Sequence, residues 1–568
     1  MPQSPAFSSD DMRRPVFPRL ARGLAILATV VLAIPFFAAP AAAAPTTATP
    51  SAGRLDAEIV RKLQTTRESE RIPVIVEGAL SSNDGTTSTA NERRAQRAED
   101  RVRGNGGTVV SKSNLIGATV AELTPAEIRA LAADSSVGRI HFDAEVSATA
   151  INASDSGSTP IVYPQTIGAP DAWQAGQTGK GVTVAVLDSG IDNSPAFGAR
   201  VKARTDLIDP THPAQGDPAG HGTHVAGIVA GGRNSAAPGL APDANLVSVR
   251  VLDAQGHSRV STVIHGLEWT VAHRKSLGIR VAVMALGAPA DGSYRDDPLA
   301  AAVELTWRSG IVVVVAAGNG GPNAGTIQTP AYDPLVLTVG ASDDGGTARP
   351  SDDSVPSWSG RGPTADGIAK PDLVAPGRKI VGLRVPGGTI DKLVPDHIEG
   401  PRTVRLSGTS QAAAVAGGAV ALLLDQRPNL SPDEVKALLV GSARPLTGVA
   451  RTIQGSGNLN IARALDMRTP RAARQHVAPA TPLLRAILPQ IKHLLRGNQV
   501  LWDQVIWDQV IWDQVLWDQV LWDQVLWDQV LWDKVNWDQV LWDQVLWDQV
   551  LWDQVLWDQV LWDQVLWD

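Results

Sequence analysis

Between residues 163 and 467 the chain alternates short apolar runs with helix-forming segments, and this alternation restricts the fold more than any other feature of the sequence. The runs are six or seven residues long and mostly apolar, at 182–187, 246–252, 279–284 and 311–316. Strands have this composition when helices cover both faces of a parallel sheet, because neither face meets water. Helix-forming segments lie at 223–230, 261–274 and 299–308. The pattern predicts a doubly wound α/β domain with a mostly parallel sheet, whose site residues gather at the carboxyl ends of the strands.

Two polar residues occur where such a domain places its site. Asp188 closes the run Val-Ala-Val-Leu-Asp, and a carboxylate after four apolar residues is poorly solvated and needs a partner. His221 stands in Gly-His-Gly-Thr-His-Val-Ala-Gly, where small residues let a helix begin close to the sheet. His224 lies one helical turn further on, and we expect it to pack in the core. The sequence therefore predicts that Asp188 and His221 form a pair.

A serine precedes the longest stretch of small and apolar residues in this domain. Ser410 follows Gly408 and Thr409, and the stretch after it continues to residue 424. This predicts a buried helix with Ser410 in its first turn, where backbone N–H groups stabilise negative charge. Such a stretch by itself indicates only a helix cap. Together with Asp188 and His221 it predicts a nucleophilic serine.

These three segments, in the chain order Asp, His, Ser, resemble those of the subtilisin-like serine peptidases, the subtilases. The resemblance covers roughly residues 165–467. It implies a secreted endopeptidase in which Asp188 orients His221, His221 transfers the proton and Ser410 forms the acyl-enzyme. Activity is then expected to rise as His221 deprotonates, near the ordinary histidine pKa of ~6–7.

The same resemblance implies an oxyanion hole and a peptide-binding cleft. Ala-Ala-Gly-Asn at 316–319 resembles the segment whose asparagine, here Asn319, joins the backbone N–H of Ser410 in holding the oxyanion. An open, largely apolar primary pocket is also implied, with a broad, non-basic preference. The residues implied in substrate binding are Gly256, Ser258, Ala285, Leu286, Gly287, Ala316, Ala317 and Gly318.

Some positions depart from the family's pattern. After the serine the family usually has Met-Ala-Ala-Pro, whereas this chain has Gln411 first and Ala414 last. We expect no effect on the chemistry, which does not use the proline. The loop at 231–242 offers no convincing set of oxygen ligands, so the sequence does not support the structural calcium common in the family, and no cofactor is required. The chain has no cysteine, which excludes disulfides and thiolate metal sites.

Two further units precede the peptidase domain. Residues 1–44 contain four arginines, an apolar run and an alanine-rich end, which indicates a secretory signal peptide. Residues 54–148 have the order strand, helix, strand, strand, helix, strand, which predicts a small ferredoxin-like α+β unit. This unit has a weaker resemblance to the inhibitory propeptides of subtilases, which implies a zymogen. Residues 149–162 are then an exposed linker.

The end of the chain, after a basic linker at 468–499, repeats Val-Leu-Trp-Asp-Gln over residues 500–568. Fourteen tryptophans recur every five residues, a period that gives neither an amphipathic helix nor a one-sided strand. Three interpretations stay open: a stacked solenoid, a disordered tail, and a module that stacks tryptophan on cell-wall carbohydrate. The first function predicted is a secreted endopeptidase, and the alternative is a surface or cell-wall protein whose main module is the repeat.

Charge and motifs together restrict the partners. The repeat block carries a net charge of −13 within a total of −8, so the rest of the chain is near +5 and shows no basic stripe for nucleic acid. Expected partners are protein or peptide substrates and the chain's own propeptide. The repeat adds the cell wall or other copies of the chain, and with them retention at the cell surface.

Overall fold

The computed structural model describes residues 54–81, 88–148, 160–214, 216–290, 292–470, 473, 475 and 480. The predicted signal peptide and the Trp repeat lie outside the described residues, as do most residues of the two predicted linkers. Within the described ranges, no helix combines the length and the apolar character needed to cross a membrane.

The N-terminal unit is a four-stranded antiparallel sheet with helices. In chain order its elements are α1 (Ala57–Thr65), β1 (Ile72–Gly78), α2 (Ser88–Gly104), β2 (Thr108–Ser113), β3 (Ala118–Leu123), α3 (Pro125–Ala133) and β4 (Val137–Phe142). The strands lie in the order β2-β3-β1-β4. From β1 to β4 the sequence of strands and helices is the one predicted, and α1 before it was not predicted. Val74, Leu123 and Ile140 are buried in its core. A fifth strand, β5 (Glu145–Ala148), leaves this sheet and pairs with the following domain.

The following domain is built on a seven-stranded parallel sheet, which confirms the predicted α/β fold class. In chain order its strands are β6 (Thr183–Asp188), β7 (Val201–Asp206), β8 (Asn245–Arg250), β9 (His257–Arg259), β10 (Ile279–Met284), β11 (Leu286–Gly287), β12 (Val312–Ala316), β13 (Leu337–Ser342), β14 (Leu373–Pro376), β15 (Ile380–Leu383), β16 (Ile398–Gly400) and β17 (Thr403–Leu406). The large sheet has the order β14-β13-β12-β10-β6-β8-β7, and β15, β17 and β16 form a small sheet of their own.

Helices cover this sheet and close the domain. They are α4 (Tyr163–Thr166), α5 (Ala169–Gln174), α6 (His221–Ala230), α7 (Val260–Ala272), α8 (Arg274–Leu277), α9 (Pro298–Arg308), α10 (Thr389–Leu393), α11 (Thr409–Gln426), α12 (Pro432–Ser442), α13 (Arg451–Gln454) and α14 (Ile461–Asp466). Short 3₁₀ turns occur at Gly198–Arg200, Tyr294–Asp296 and Pro395–His397.

The strand order places a crevice at the end of β6. The chain runs from β6 to β7 and β8 on one side, and then crosses to β10 and β12 on the other side. In an open parallel sheet, this reversal of direction leaves a crevice outside the carboxyl ends of the strands. Asp188 is the last residue of β6, so it lies at this crevice.

The central helix α11 is buried along almost its whole length, from Thr409 to Leu424. It packs against α6 and against strands β10, β12 and β13. Its small residues make this close approach possible: a Cβ added at Gly417 would lie 2.5 Å from a methyl carbon of Val283. The helix therefore fixes its own first turn, which carries Ser410, relative to the sheet.

Candidate active site

Asp188 and His221 form a buried hydrogen-bonded pair. Nδ1 of His221 lies 2.8 and 2.9 Å from the two carboxylate oxygens of Asp188. His221 is the first residue of α6. Glycine at position 222 lets the helix begin close to the end of β6, because a Cβ there would lie only 2.1 Å from the carbonyl oxygen of Gly190. A carboxylate can only accept, so Nδ1 carries the proton and Nε2 is the basic nitrogen. Nε2 is buried and has no hydrogen-bond partner in the described part of the chain.

Ser410 is the second residue of α11 and is fully buried. Its hydroxyl donates to the backbone carbonyl of Ala285, with an oxygen–oxygen distance of 3.0 Å. Gly408 begins the helix without a side-chain cap. Helix α11 packs against α6. Ser410 and His221 therefore lie in the first turns of two helices that contact each other.

Asn319 follows β12 and contacts the same turn. Its Oδ1 accepts the backbone N–H and the hydroxyl of Thr409, each at 2.9 Å, and the hydroxyl oxygen of Thr409 accepts the N–H of Gly318 at 3.1 Å. A backbone N–H can only donate, so the oxygen end of the carboxamide is the one bound to Thr409. The amide nitrogen is therefore the opposite end, as a donor to an oxyanion requires.

Strand β5 of the N-terminal unit lies in a cleft between β9 and β11. Ser147 is opposite Gly287 and Ala148 is opposite Leu286, and β5 also pairs antiparallel with β9. The N–H of Ala148 donates to the carbonyl of Gly256 at 2.8 Å. Four residues implied in substrate binding thus contact an extended segment of this same chain: Gly256, Ser258, Leu286 and Gly287.

A sequence profile described as the subtilase family, peptidase family S8, matches residues 179–462, half of the chain. The chain belongs to the subtilase family. Serine protease AprX of Bacillus subtilis (strain 168) is 39% identical over 362 residues, which make up 62% of this chain and 79% of that relative. An alkaline protease of Alkalihalobacillus alcalophilus is 34% identical over 340 residues, 60% of this chain and 77% of the relative. Being of this family, the protein is a serine endopeptidase.

A solved structure agrees with the fold of this subtilase. The crystal structure of fervidolysin from Fervidobacterium pennivorans, a keratinolytic enzyme related to subtilisin, matches with a TM-score of 0.55. The match covers 71% of this chain and 62% of that chain at 23% sequence identity. At this identity the likeness supports the subtilisin-like fold.

A second buried carboxylate, which the sequence analysis did not single out, braces the first turn of α6 in this subtilase. Asp217 accepts the hydroxyl of Ser189 at 2.8 Å and the backbone N–H groups of Gly220 and Thr223 at 2.9 and 2.7 Å. Burial raises the pKa of Asp217, and its hydrogen bonds oppose this rise. The sequence feature that could have indicated a role for Asp217 is its position four residues before His221. Asp217 holds the loop that presents His221.

The two histidines of α6 have opposite electrostatic environments. Burial alone lowers the pKa of His221, but the charge and hydrogen bond of Asp188, with the charge of Asp217, raise it above its ordinary value. Burial and the neighbouring His221 lower the pKa of His224 to about 3, so this ring is neutral and packs against Gly382.

Gln328 is a further residue of the cleft that the sequence analysis did not find. Its backbone N–H donates to the carbonyl of Ala317 at 3.1 Å, and its neighbour Thr329 exchanges two hydrogen bonds with Ala288, each 3.0 Å long. These bonds close the loop that follows β12 and join it to the segment that follows β11.

No group of three or more potential metal-binding side chains occurs among the described residues.

Ala285, Ala316 and Ala317 are fully buried beside the cleft segments. The arrangement at the crevice, with an oriented imidazole, a hydroxyl in the first turn of a helix and an amide donor, is suited to acyl transfer.

Proposed function

We propose that this subtilase is secreted as a self-inhibited zymogen and hydrolyses peptide bonds through Asp188, His221 and Ser410. In this mechanism Nε2 of His221 takes the proton from the Ser410 hydroxyl as the serine oxygen attacks the peptide carbonyl. His221 then gives that proton to the leaving amine, and the acyl-enzyme forms. A water molecule, deprotonated by His221, attacks the acyl-enzyme; the bond to the serine oxygen breaks, His221 returns the proton to that oxygen, and the acid is released.

The oxyanion is held in this proposal by two donors. One is the backbone N–H of Ser410, which lies in the first turn of α11, where the helix dipole stabilises negative charge. The other is the amide nitrogen of Asn319, because its oxygen is bound to Thr409. Donors fixed in advance stabilise charge that develops only during the reaction.

The observation that carries the zymogen proposal is the position of β5. An extended peptide that adds a strand between two cleft strands is a common mode of substrate binding. Here Ser147 and Ala148 occupy this position, opposite Gly287 and Leu286, so a substrate cannot bind there at the same time. The N-terminal unit therefore supports two roles, an inhibitor and an internal substrate.

Two carboxylates strengthen the contact between the N-terminal unit and the peptidase domain. Asp143 accepts the backbone N–H and the hydroxyl of Ser261, at 2.9 and 2.7 Å, in the first turn of α7. A negative charge at a helix N-terminus is stabilising. Glu268 of α7 in turn accepts the hydroxyl of Ser113 at 2.9 Å and the N–H of Asn114 at 3.1 Å. Such contacts would keep the unit bound after cleavage.

Self-processing is the test of this proposal. The full chain should cleave itself between Asp143 and Pro160, whereas a Ser410→Ala chain purified free of other proteases should stay in one piece. A fluorophosphonate probe should label the wild-type chain at Ser410 and leave Ser410→Ala unlabelled. Ser276→Ala, at an exposed position in α8, serves as the matched control and should behave as wild type. Loss of residues 54–148 from pure Ser410→Ala would contradict self-processing.

A further inference from the structure

The side chain of Gln328 lies against Gly287 and Gly318, and the catalytic proposal does not use its carboxamide. The two glycines belong to the segments 285–287 and 316–318, between which the resemblance to subtilases implies the primary pocket. A Cβ added to Gly287 or to Gly318 would come within 2.7 Å of this side chain. Glycine at both positions therefore leaves room for Gln328.

The oxygen of this carboxamide has no hydrogen-bond partner within the described ranges of the chain. Oε1 of Gln328 is buried, and no described residue donates a hydrogen bond to it. It is also the atom of Gln328 that would lie 2.7 Å from a Cβ on Gly287 and 2.8 Å from one on Gly318. Buried polar atoms in proteins are nearly always hydrogen-bonded, so an acceptor in a binding pocket is suited to a donor on the ligand.

The register of β5 shows which residue of a peptide reaches this pocket. Ser147 lies opposite Gly287 and Ala148 lies opposite Leu286. The next residue of a peptide bound in this register lies opposite Ala285, whose carbonyl is 3.0 Å from the hydroxyl of Ser410. That residue is the one whose carbonyl is attacked, called P1, and its side chain enters the pocket beside Gln328.

We infer that Gln328 selects substrates whose P1 side chain donates a hydrogen bond, foremost glutamine. The amide N–H of a P1 glutamine meets the carboxamide oxygen, whereas methionine has the same length without a donor. Glutamate brings a second acceptor towards Oε1 and is the poorest of the three. This inference rests on the proposed catalytic function of Ser410 and adds the substrate class to it.

The test is a comparison of kcat/KM for three peptides that differ only at P1, with glutamine, methionine or glutamate. The matured full-length wild type should prefer glutamine to methionine by about 2- to 12-fold, the ordinary effect of one hydrogen bond. Gln328→Leu should lose this preference, because leucine keeps much of the volume but accepts no hydrogen bond. Gln328→Glu retains the acceptor and should keep the preference for glutamine over methionine. Gln165→Leu, exposed in α4, is the matched control.

The outcomes separate this inference from the proposed function. If the wild type is not labelled by a fluorophosphonate and cleaves none of the peptides, the proposed function fails, and the inference with it. If the wild type cleaves all three but the glutamine-to-methionine ratio is the same in Gln328→Leu, the inference alone is wrong. Preference of the wild type for P1 glutamate also overturns it, since the amide nitrogen of Gln328 would then face the pocket. Fluorophosphonate labelling of each variant shows that its active site is folded.

Discussion

At the scale of single residues, the buried pair of Asp188 and His221 determines how His221, the proposed catalytic base, titrates. Burial lowers the pKa of His221, but the charge and hydrogen bond of Asp188, together with the charge of Asp217, raise it above the ordinary value of 6.5. His221 accepts the proton of Ser410 only in its neutral form, so activity is lost as pH falls through this pKa. We predict that kcat for a short peptide rises with pH and has its midpoint above 6.5, higher than an unperturbed histidine would give.

Replacement of the partner tests the cause of that shift. Asp188→Asn removes the negative charge, so the midpoint should move to lower pH. The wrong tautomer of His221 should also lower kcat by roughly 10⁴. Asp209→Asn, in a surface loop, is the matched control and should leave the profile unchanged. A midpoint that stays in place in Asp188→Asn would show that Asp188 does not set the pKa.

At the scale of elements, the loop after β12 and the first turn of α11 form one hydrogen-bonded unit through Asn319 and Thr409. Asn319→Asp keeps the oxygen that Thr409 requires but has no N–H to donate to an oxyanion. We predict that kcat falls by at least roughly 10²–10³ while KM changes little, because the donor acts on charge present only in the transition state. Initial rates with a short peptide give both constants.

A second variant at this position separates catalysis from stability. Asn319→Ala removes the donor and also leaves the backbone N–H of Thr409 without its acceptor. Asn319→Ala should therefore lower kcat by a similar factor and should also lower the melting temperature. Asn319→Asp should lower kcat but change the melting temperature less than Asn319→Ala does. Full kcat in Asn319→Asp would contradict the oxyanion role.

The four strands of the large sheet that the sequence predicted, β6, β8, β10 and β12, all lie inside it, although the equally buried interior strand β13 was missed. β10 and β12 lie inside the sheet and have almost continuous apolar sequences. β7 was not predicted, because it is an edge strand in which Lys202 and Arg204 alternate with less exposed residues. β14 was not predicted either, since it has only four residues.

Some residues of the candidate site can be predicted from their neighbours in the sequence, and others depend on segments that are distant in the sequence. Asp188 ends a strand, and His221 and Ser410 begin helices, so their own neighbours in the sequence mark them. Gln328 has no such signal, because its position depends on Gly287 and Gly318, which belong to two other segments. Resemblance and motif therefore indicate the catalytic residues, whereas the shape of the specificity pocket needs the tertiary structure.

At the scale of the whole molecule, two residues beyond the predicted end of the peptidase domain at residue 467 contact that domain. The side chain of Gln475 donates to the carbonyl of Leu335 and to Asp433, each at 3.0 Å. Ala480 is fully buried, and its N–H donates to the carboxylate of Glu304 at 2.9 Å. Burial, with the nearby charge of Asp333, raises the pKa of Glu304 well above its usual range, and Arg308 opposes this rise. The N–H of Ala480 thus adds a second hydrogen bond to a buried carboxyl group that Arg308 also contacts.

Two truncations follow from these contacts. A chain that ends at Gly497 keeps Gln475 and Ala480 and lacks only the Trp repeat, so it should hydrolyse a short peptide at the wild-type rate. A chain that ends at Asp466 loses the burial of Ala480 and several hydrogen bonds, together worth about 2–4 kcal/mol. Measured in a Ser410→Ala background to prevent self-digestion, it should therefore melt several degrees lower than the Gly497 chain. Equal melting temperatures would show that the segment only rests on the surface. If the Gly497 chain stayed folded but no longer cleaved the peptide, the Trp repeat would be part of the catalytic unit.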